Sequence, residues 1–136
     1  MPFSIYVDES TNWLAIDYAR VVDGKDLVAS REQAAALNED GHIRDFILDF
    51  TAVSEFVLAA DAVEHIMRVD KARAAKLPAG RCAIVAPRDL VEIGTTYLAA
   101  ISALPLDFRT FDNRQRAEAW LRGDLPGVPP TLPRRR

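Results

Sequence analysis

The feature that most constrains this chain is a repeated change of hydrophobic period. From Phe3 to Val7 the apolar residues recur at every second position, and residues 13–22 continue as a strand-like run; beyond Val22, stretches of helical spacing alternate with short apolar runs. Phe3, Ile5 and Val7 alternate with Ser4, Tyr6 and Asp8, and residues 13–22 are rich in aromatic and β-branched side chains, so two strands are predicted. The four residues Glu9-Ser10-Thr11-Asn12 between them have turn chemistry and predict an antiparallel hairpin.

After the hairpin, Asp23-Gly24-Lys25-Asp26 sets side-chain oxygens beside the free amides of a first helical turn. Leu27, Ser30, Ala34 and Leu37 follow at helical spacing, and Asn38 with Gly41 marks the exit. Phe46, Ile47, Leu48 and Phe50 predict a short strand buried on both faces. Residues 59–76 predict a second helix with Val63, Ile66, Met67 and Ala74 on one side, stopped by Pro78 and Gly80. Residues 82–86 read as the most central strand. Pro87-Arg88-Asp89 then opens a third helix, whose stripe is Leu90, Ile93, Tyr97, Leu98 and Ile101 and which Pro105 stops. Phe108 and Phe111 bracket a fifth strand. Asp112-Asn113-Arg114-Gln115 has the form of a capping box, and Ala117, Trp120 and Leu121 make a short fourth helix ending at Gly123.

The order is therefore β-β-α-β-α-β-α-β-α, and the fold class is α/β. Strand–helix–strand units with short connections imply parallel neighbours, so the expectation is a five-stranded, mostly parallel sheet with an N-terminal antiparallel hairpin and four helices. With 136 residues this is one domain, placed at residues 1–123. Residues 124–136 form a Pro/Arg-rich tail holding Pro126, Pro129, Pro130 and Pro133.

Charge and composition narrow the function classes. Hydrophobic residues make up 49% of the chain, enough for a core and too many for global disorder. There are 17 basic and 20 acidic residues, and three of the basic ones are the terminal Arg134, Arg135 and Arg136. The body is thus distinctly acidic, which argues against nucleic acid as a partner, because duplex affinity rests on a basic face. The lone cysteine, Cys82, excludes an internal disulfide and a multi-cysteine zinc cage. The N-terminus lacks the basic and apolar regions of a signal peptide. The longest apolar stretch, residues 95–106, falls short of the ~20 that span a bilayer. A cytoplasmic protein, not integral to a membrane, is expected.

The element order and the residues that fill it resemble the STAS superfamily, closest to its SpoIIAA-like branch of small bacterial proteins, also described as STAS or SEC14-like. The resemblance covers residues 3–122. It is carried by the hairpin, the helix opening Gly24-Lys25-Asp26-Leu27, and the run Leu48-Asp49-Phe50-Thr51-Ala52-Val53. The strand exit Ala83-Ile84-Val85-Ala86-Pro87 and the closing Phe111-Asp112 and Ala117-Glu118-Ala119-Trp120-Leu121 complete it. It implies a superhelix of strand–helix turns with the sheet in sequential order. Regulatory members of the superfamily carry a phosphorylatable serine at the start of the helix after the third strand; laying residues 48–53 on that pattern puts Val57-Leu58-Ala59-Ala60 there, with no hydroxyl to accept a phosphoryl group. Ser54 is placed in the strand-exit turn, as a turn-capping hydroxyl.

Few residues suggest catalysis. There is no Gly-x-Ser-x-Gly elbow and no phosphate-cradling glycine loop, and Cys82 sits inside an apolar strand. Asp61 and His65, four apart on the second helix, offer half a metal site at best, and His42 reads as a loop residue. No catalytic residue, metal or cofactor is assigned. The carboxyl ends of the strands, where open α/β sheets collect ligands, deliver Asp23, Gly24, Thr51, Arg88, Asp89 and Asp112 as a candidate anion or ligand site. The apolar loop is the candidate contact surface, through Ser54, Glu55, Phe56, Val57, Leu58 and Asp61. The resulting expectation is a non-enzymatic binding or regulatory module that contacts a protein partner or a second copy of itself. The alternatives are a carrier of a small apolar or lipid-like ligand, implied by the SEC14-like resemblance, and an enzyme using the strand-end aspartates with Arg88.

Overall fold

The computed structural model describes residues 2–75, 77, 79–87, 89 and 104–124. The hairpin forms as predicted: β1 (Phe3–Asp8) pairs antiparallel with β2 (Trp13–Val22), from Phe3 opposite Tyr18 to Asp8 opposite Trp13. Its turn is tied by the Asp8 carboxylate, which accepts from the Ser10 hydroxyl at 2.7 Å and amide at 3.0 Å, and by Asn12 at φ 60°. There follow α1 (Gly24–Leu37), β3 (Asp45–Phe56), α2 (Ala60–Ala74), β4 (Gly80–Val85), β5 (Leu106–Phe111) and α3 (Arg114–Arg122). The five strands form one sheet in the order β1-β2-β3-β4-β5, with every pair after the hairpin parallel.

The sheet separates two apolar clusters. Leu14, Ile16, Phe46, Phe50, Cys82 and Ile84 face Leu27 and Val28 of α1 and Ile66 of α2. On the opposite face Trp13, Ala15, Ile47, Ala83, Val85 and Phe111 pack with Ala117, Trp120 and Leu121 of α3. This split follows from strand alternation, in which consecutive side chains leave on opposite faces. Close packing of the layers is visible at Gly24, where a Cβ would lie 2.1 Å from the Ala62 Cβ and so wedge α1 away from α2.

Several expectations are corrected. The third strand is not short: it runs through Phe56, because Ala52, Val53, Glu55 and Phe56 continue to pair with β2 after β4 has ended. β3 also holds the middle of the sheet, although β4 is buried along its whole length. Met67 is 44% exposed and Leu37 49% exposed, so neither belongs to the core stripe; the stripe positions are filled instead by Arg31 on α1 and Asp70 on α2, both buried. The last helix is capped by Asn113 rather than Asp112, the Asn113 side chain accepting from the Arg116 amide at 2.9 Å. The predicted third helix, with Arg88 and residues 90–103, lies outside the described residues, as does the tail from residue 125 on.

Candidate functional site

β2 and β3 outrun their neighbours. The last β1–β2 pair is Phe3 with Tyr18, and the last β3–β4 pair is Asp49 with Val85. The Ala19 amide still donates to the Pro2 carbonyl at 2.7 Å; beyond it, among the described strands, residues 20–22 and 53–56 pair with one another, and the ribbon contains two register shifts and an Arg20 at φ 63°. One face of this ribbon is core: Val22 and Val53 are fully buried, and Phe56 tilts against Phe50 with ring centroids 5.8 Å apart. The other face is open, with Val21 50% exposed beside exposed Ala52, Ser54 and Glu55.

The ribbon leads into α2 through Val57, Leu58 and Ala59. The Val57 amide donates to the Val22 carbonyl at 2.8 Å, which fixes the backbone, while its side chain remains 46% exposed. Leu58 turns inward and packs against the core. Ala59 is the N-cap of α2 and supplies no side-chain bond to the first turn, where Ala60 and Asp61 are exposed. Of the candidate contact residues, Val57 and Asp61 therefore flank the helix start and Phe56 and Leu58 anchor it. Ser54 and Glu55 sit on β3, not in an exit turn.

The strand-end residues do not assemble into one site among the described residues. Asp23 caps α1: its Oδ1 accepts from the Asp26 amide at 3.0 Å, while the Asp26 carboxylate accepts from the Asp23 amide at 2.9 Å. The Asp26 amide bond holds the Asp23 carboxyl below its ordinary value of 3.8. Gly24 is buried against Ala62, leaving no space for a ligand. Thr51 lies on β3 and donates its hydroxyl and amide to Asp49, so it is not at a strand end. Asp112 is exposed and pairs loosely with Arg116 at 3.5 Å, and Asp89 is exposed. Asp61 and His65 are both exposed, and the described residues contain no group of three metal-ligating side chains. His42 is a loop residue whose ring bonds the Asp40 carboxylate, a contact that lowers the Asp40 carboxyl.

Two polar constellations were not anticipated from the sequence. Under α1 and α2, Arg31 Nη1 donates to both oxygens of Asp70, beside a Tyr18–Ser30 hydroxyl pair at 2.6 Å. On the opposite face of the sheet, Arg114 Nη1 donates to Asp17 at 3.0 Å and Asp49 at 3.1 Å, Nη2 to the Tyr6 hydroxyl at 2.8 Å and Nε to Glu118 at 2.8 Å. Partial burial opposes the Arg114 charge, but these bonds outweigh it and hold the guanidinium above its ordinary value. This clasp joins α3 to β1, β2 and β3. At the other end of α3, the guanidinium carbons of Arg81 and Arg109 lie 5.7 and 5.5 Å from the Trp120 ring centroid.

No family model matches the sequence, and no curated protein matches it. Solved structures do. A protein of the DUF3478 family from Shewanella loihica PV-4, described as having a SpoIIAA-like fold, superposes with a TM-score of 0.59 and 16% identity, over 88% of this chain and 91% of that one. The anti-sigma factor antagonist SpoIIAA in its unphosphorylated form superposes with a TM-score of 0.55 and 16% identity, over 93% and 99%. The chain has the SpoIIAA-like fold. The superposition agrees with the sequential sheet and the N-terminal hairpin. Within this SpoIIAA-like frame, residues 57–60 form the junction between the third strand and the second helix. No helix among the described residues is long and apolar enough to cross a membrane.

Proposed function

We propose that this protein is a non-enzymatic interaction module that binds a protein partner, or a second copy of itself, through the β3–α2 junction. The observation that carries this reading is Val57: a half-exposed apolar side chain on a backbone pinned to Val22, flanked by the inward-packed Phe56 and Leu58. An apolar side chain held rigidly before binding loses little entropy on contact, which is how interface anchors gain affinity. SpoIIAA is itself an antagonist of another protein factor, so the shared fold supports a protein as the partner. Val57-Leu58-Ala59-Ala60 offers no hydroxyl at the start of α2, and Ser54 belongs to a strand, so the module is read as lacking a phosphorylation switch there. A cytoplasmic setting follows from the same reading.

The test is Val57→Asp, which removes the apolar projection at a solvent-facing position and leaves the core intact. Leu58→Asp is the wrong probe, because Leu58 packs inward and its loss would unfold the junction.

A further inference from the structure

α1 and α2 begin together beside the ribbon and end together at the far side of the layer, where they diverge around a groove of about 300 Å³. Its apolar lining is the buried Leu77 below, the half-buried Ala35 and exposed Ala36 from α1, and the exposed Ala72 from α2. Asn38 closes one end with both side-chain atoms already used, Nδ2 donating to the Ile43 carbonyl and Oδ1 accepting from the Ile43 amide. Glu39 stands on the exposed rim.

Arg73 lies at the inner end of this groove and also lines a separate cavity of about 30 Å³ over the sheet, next to Tyr18, Arg31 and Cys82. That inner cavity has room for about one water. Arg73 thus stands between solvent and core. No ion pair or side-chain hydrogen bond joins its guanidinium to another described residue; burial weakens its charged form, the nearby Asp70 supports it and Arg31 opposes it, with a net lowering. The described charges here are Arg31 and Arg73 against Asp70 and, on the exposed rim, Glu39; Asp70 accepts from Arg31 on both oxygens, which leaves the Arg73 guanidinium as the inner charge with no side-chain hydrogen bond among the described residues. A half-buried guanidinium in that position favours an anion that can meet its planar fork.

We propose that this groove binds a small amphipathic carboxylate, with the head group on Arg73 and a short apolar chain along Ala35, Ala36, Ala72 and Leu77. The volume sits at the small end of ligand pockets, which suits a medium chain of about eight carbons rather than a full lipid tail. The site lies at the opposite end of α1 and α2 from Val57, so it stands independently of the interaction reading.

Amide chemical shifts of the intact protein, titrated with octanoate and separately with octan-1-ol, test it. The expected result is saturable shifts centred on Ala35, Ala36, Ala72 and Leu77, with octanoate binding about tenfold more tightly than the alcohol, as one charge-assisted bond implies. Arg73→Met should weaken octanoate about tenfold and bring it level with the alcohol, Arg73→Lys should retain part of the difference, and Val57→Asp should change neither. Absence of saturable shifts at these residues overturns the proposal, as does equal binding of acid and alcohol to the unaltered protein. The second comparison needs no variant and so decides the matter even if Arg73→Met fails to fold.

Discussion

Arg31 on α1 and Asp70 on α2 form an ion pair through one nitrogen, with Arg31 Nη1 3.0 Å from Asp70 Oδ1 and 3.2 Å from Oδ2. The Asp70 side chain is fully enclosed and that of Arg31 is 10% exposed, so each charge has exchanged water for the other. The pair fixes the register of two helices that otherwise meet through small side chains such as Gly24 and Ala62. Removing one partner takes from the other a close opposite charge inside the core. Arg31→Met or Asp70→Leu alone should each lower stability by about 3–5 kcal/mol, read by denaturant unfolding, whereas the double variant should recover a large part of the loss. Equal losses for single and double variants would show that shape, not charge pairing, is what these residues provide.

Burial pushes the Cys82 thiol from 9.0 up to about 12 and the Tyr18 hydroxyl from 10.0 up to about 12. Both groups ionise more readily in the unfolded chain, so the stability they confer is complete below about pH 9 and declines as pH rises toward 12. Cys82 should accordingly react with a thiol reagent at pH 8 only after denaturation, and the melting temperature should fall between pH 9 and 12. Rapid labelling of the folded protein would contradict the placement of Cys82.

Asp23 works with the opposite sign. Its carboxyl is lowered by the Asp26 amide, so the capping contribution is present above its ordinary value of 3.8 and is lost as pH falls below it. Asp23→Ala should cost about 1 kcal/mol at pH 7. The difference between variant and parent should shrink when both are unfolded near pH 3.

The Arg114 clasp predicts a local effect. Its side chain is 31% exposed, so screening limits each ion pair, yet four bonds converge on it from three strands and its own helix. Arg114→Ala should lower stability by about 1–2 kcal/mol and speed amide exchange in α3 more than in α1 or α2. Tyr6→Phe should show the same pattern at smaller size. Uniform acceleration across the molecule would assign Arg114 to the global core instead.

Most of the fold could be read from hydrophobic period, because strands and helices that cover one sheet must alternate between periods of two and 3.6. The hairpin, the Asp23 cap and the Gly123 stop, which adopts φ 78°, are local features, and local chemistry identified them. The extent of β3 was not local. Residues 51–56 mix Thr51, Ser54 and Glu55 with Val53 and Phe56, since among the described strands this stretch has β2 alone as a neighbour and one open face. Such half-covered strands look like loops when only buried runs are counted. The paired charges did leave a trace: Arg31 follows Leu27 by four residues and Asp70 follows Ile66 by four, each interrupting an apolar stripe with opposite sign. Arg114 left only its helical neighbour Glu118, four residues on, because its other partners Tyr6, Asp17 and Asp49 are 65 to 108 residues away along the chain.

The interaction reading rests on Val57, and native mass spectrometry of the protein isolated from its source under gentle conditions tests it most directly. The parent should appear as a dimer or a complex with a second protein; Val57→Asp, with an unchanged circular dichroism spectrum, should appear chiefly as monomer. Leu37→Asp, at an equally exposed apolar position on the far end of α1, should keep the complex. A parent that is monomeric throughout, or a complex that survives Val57→Asp intact, would contradict the account.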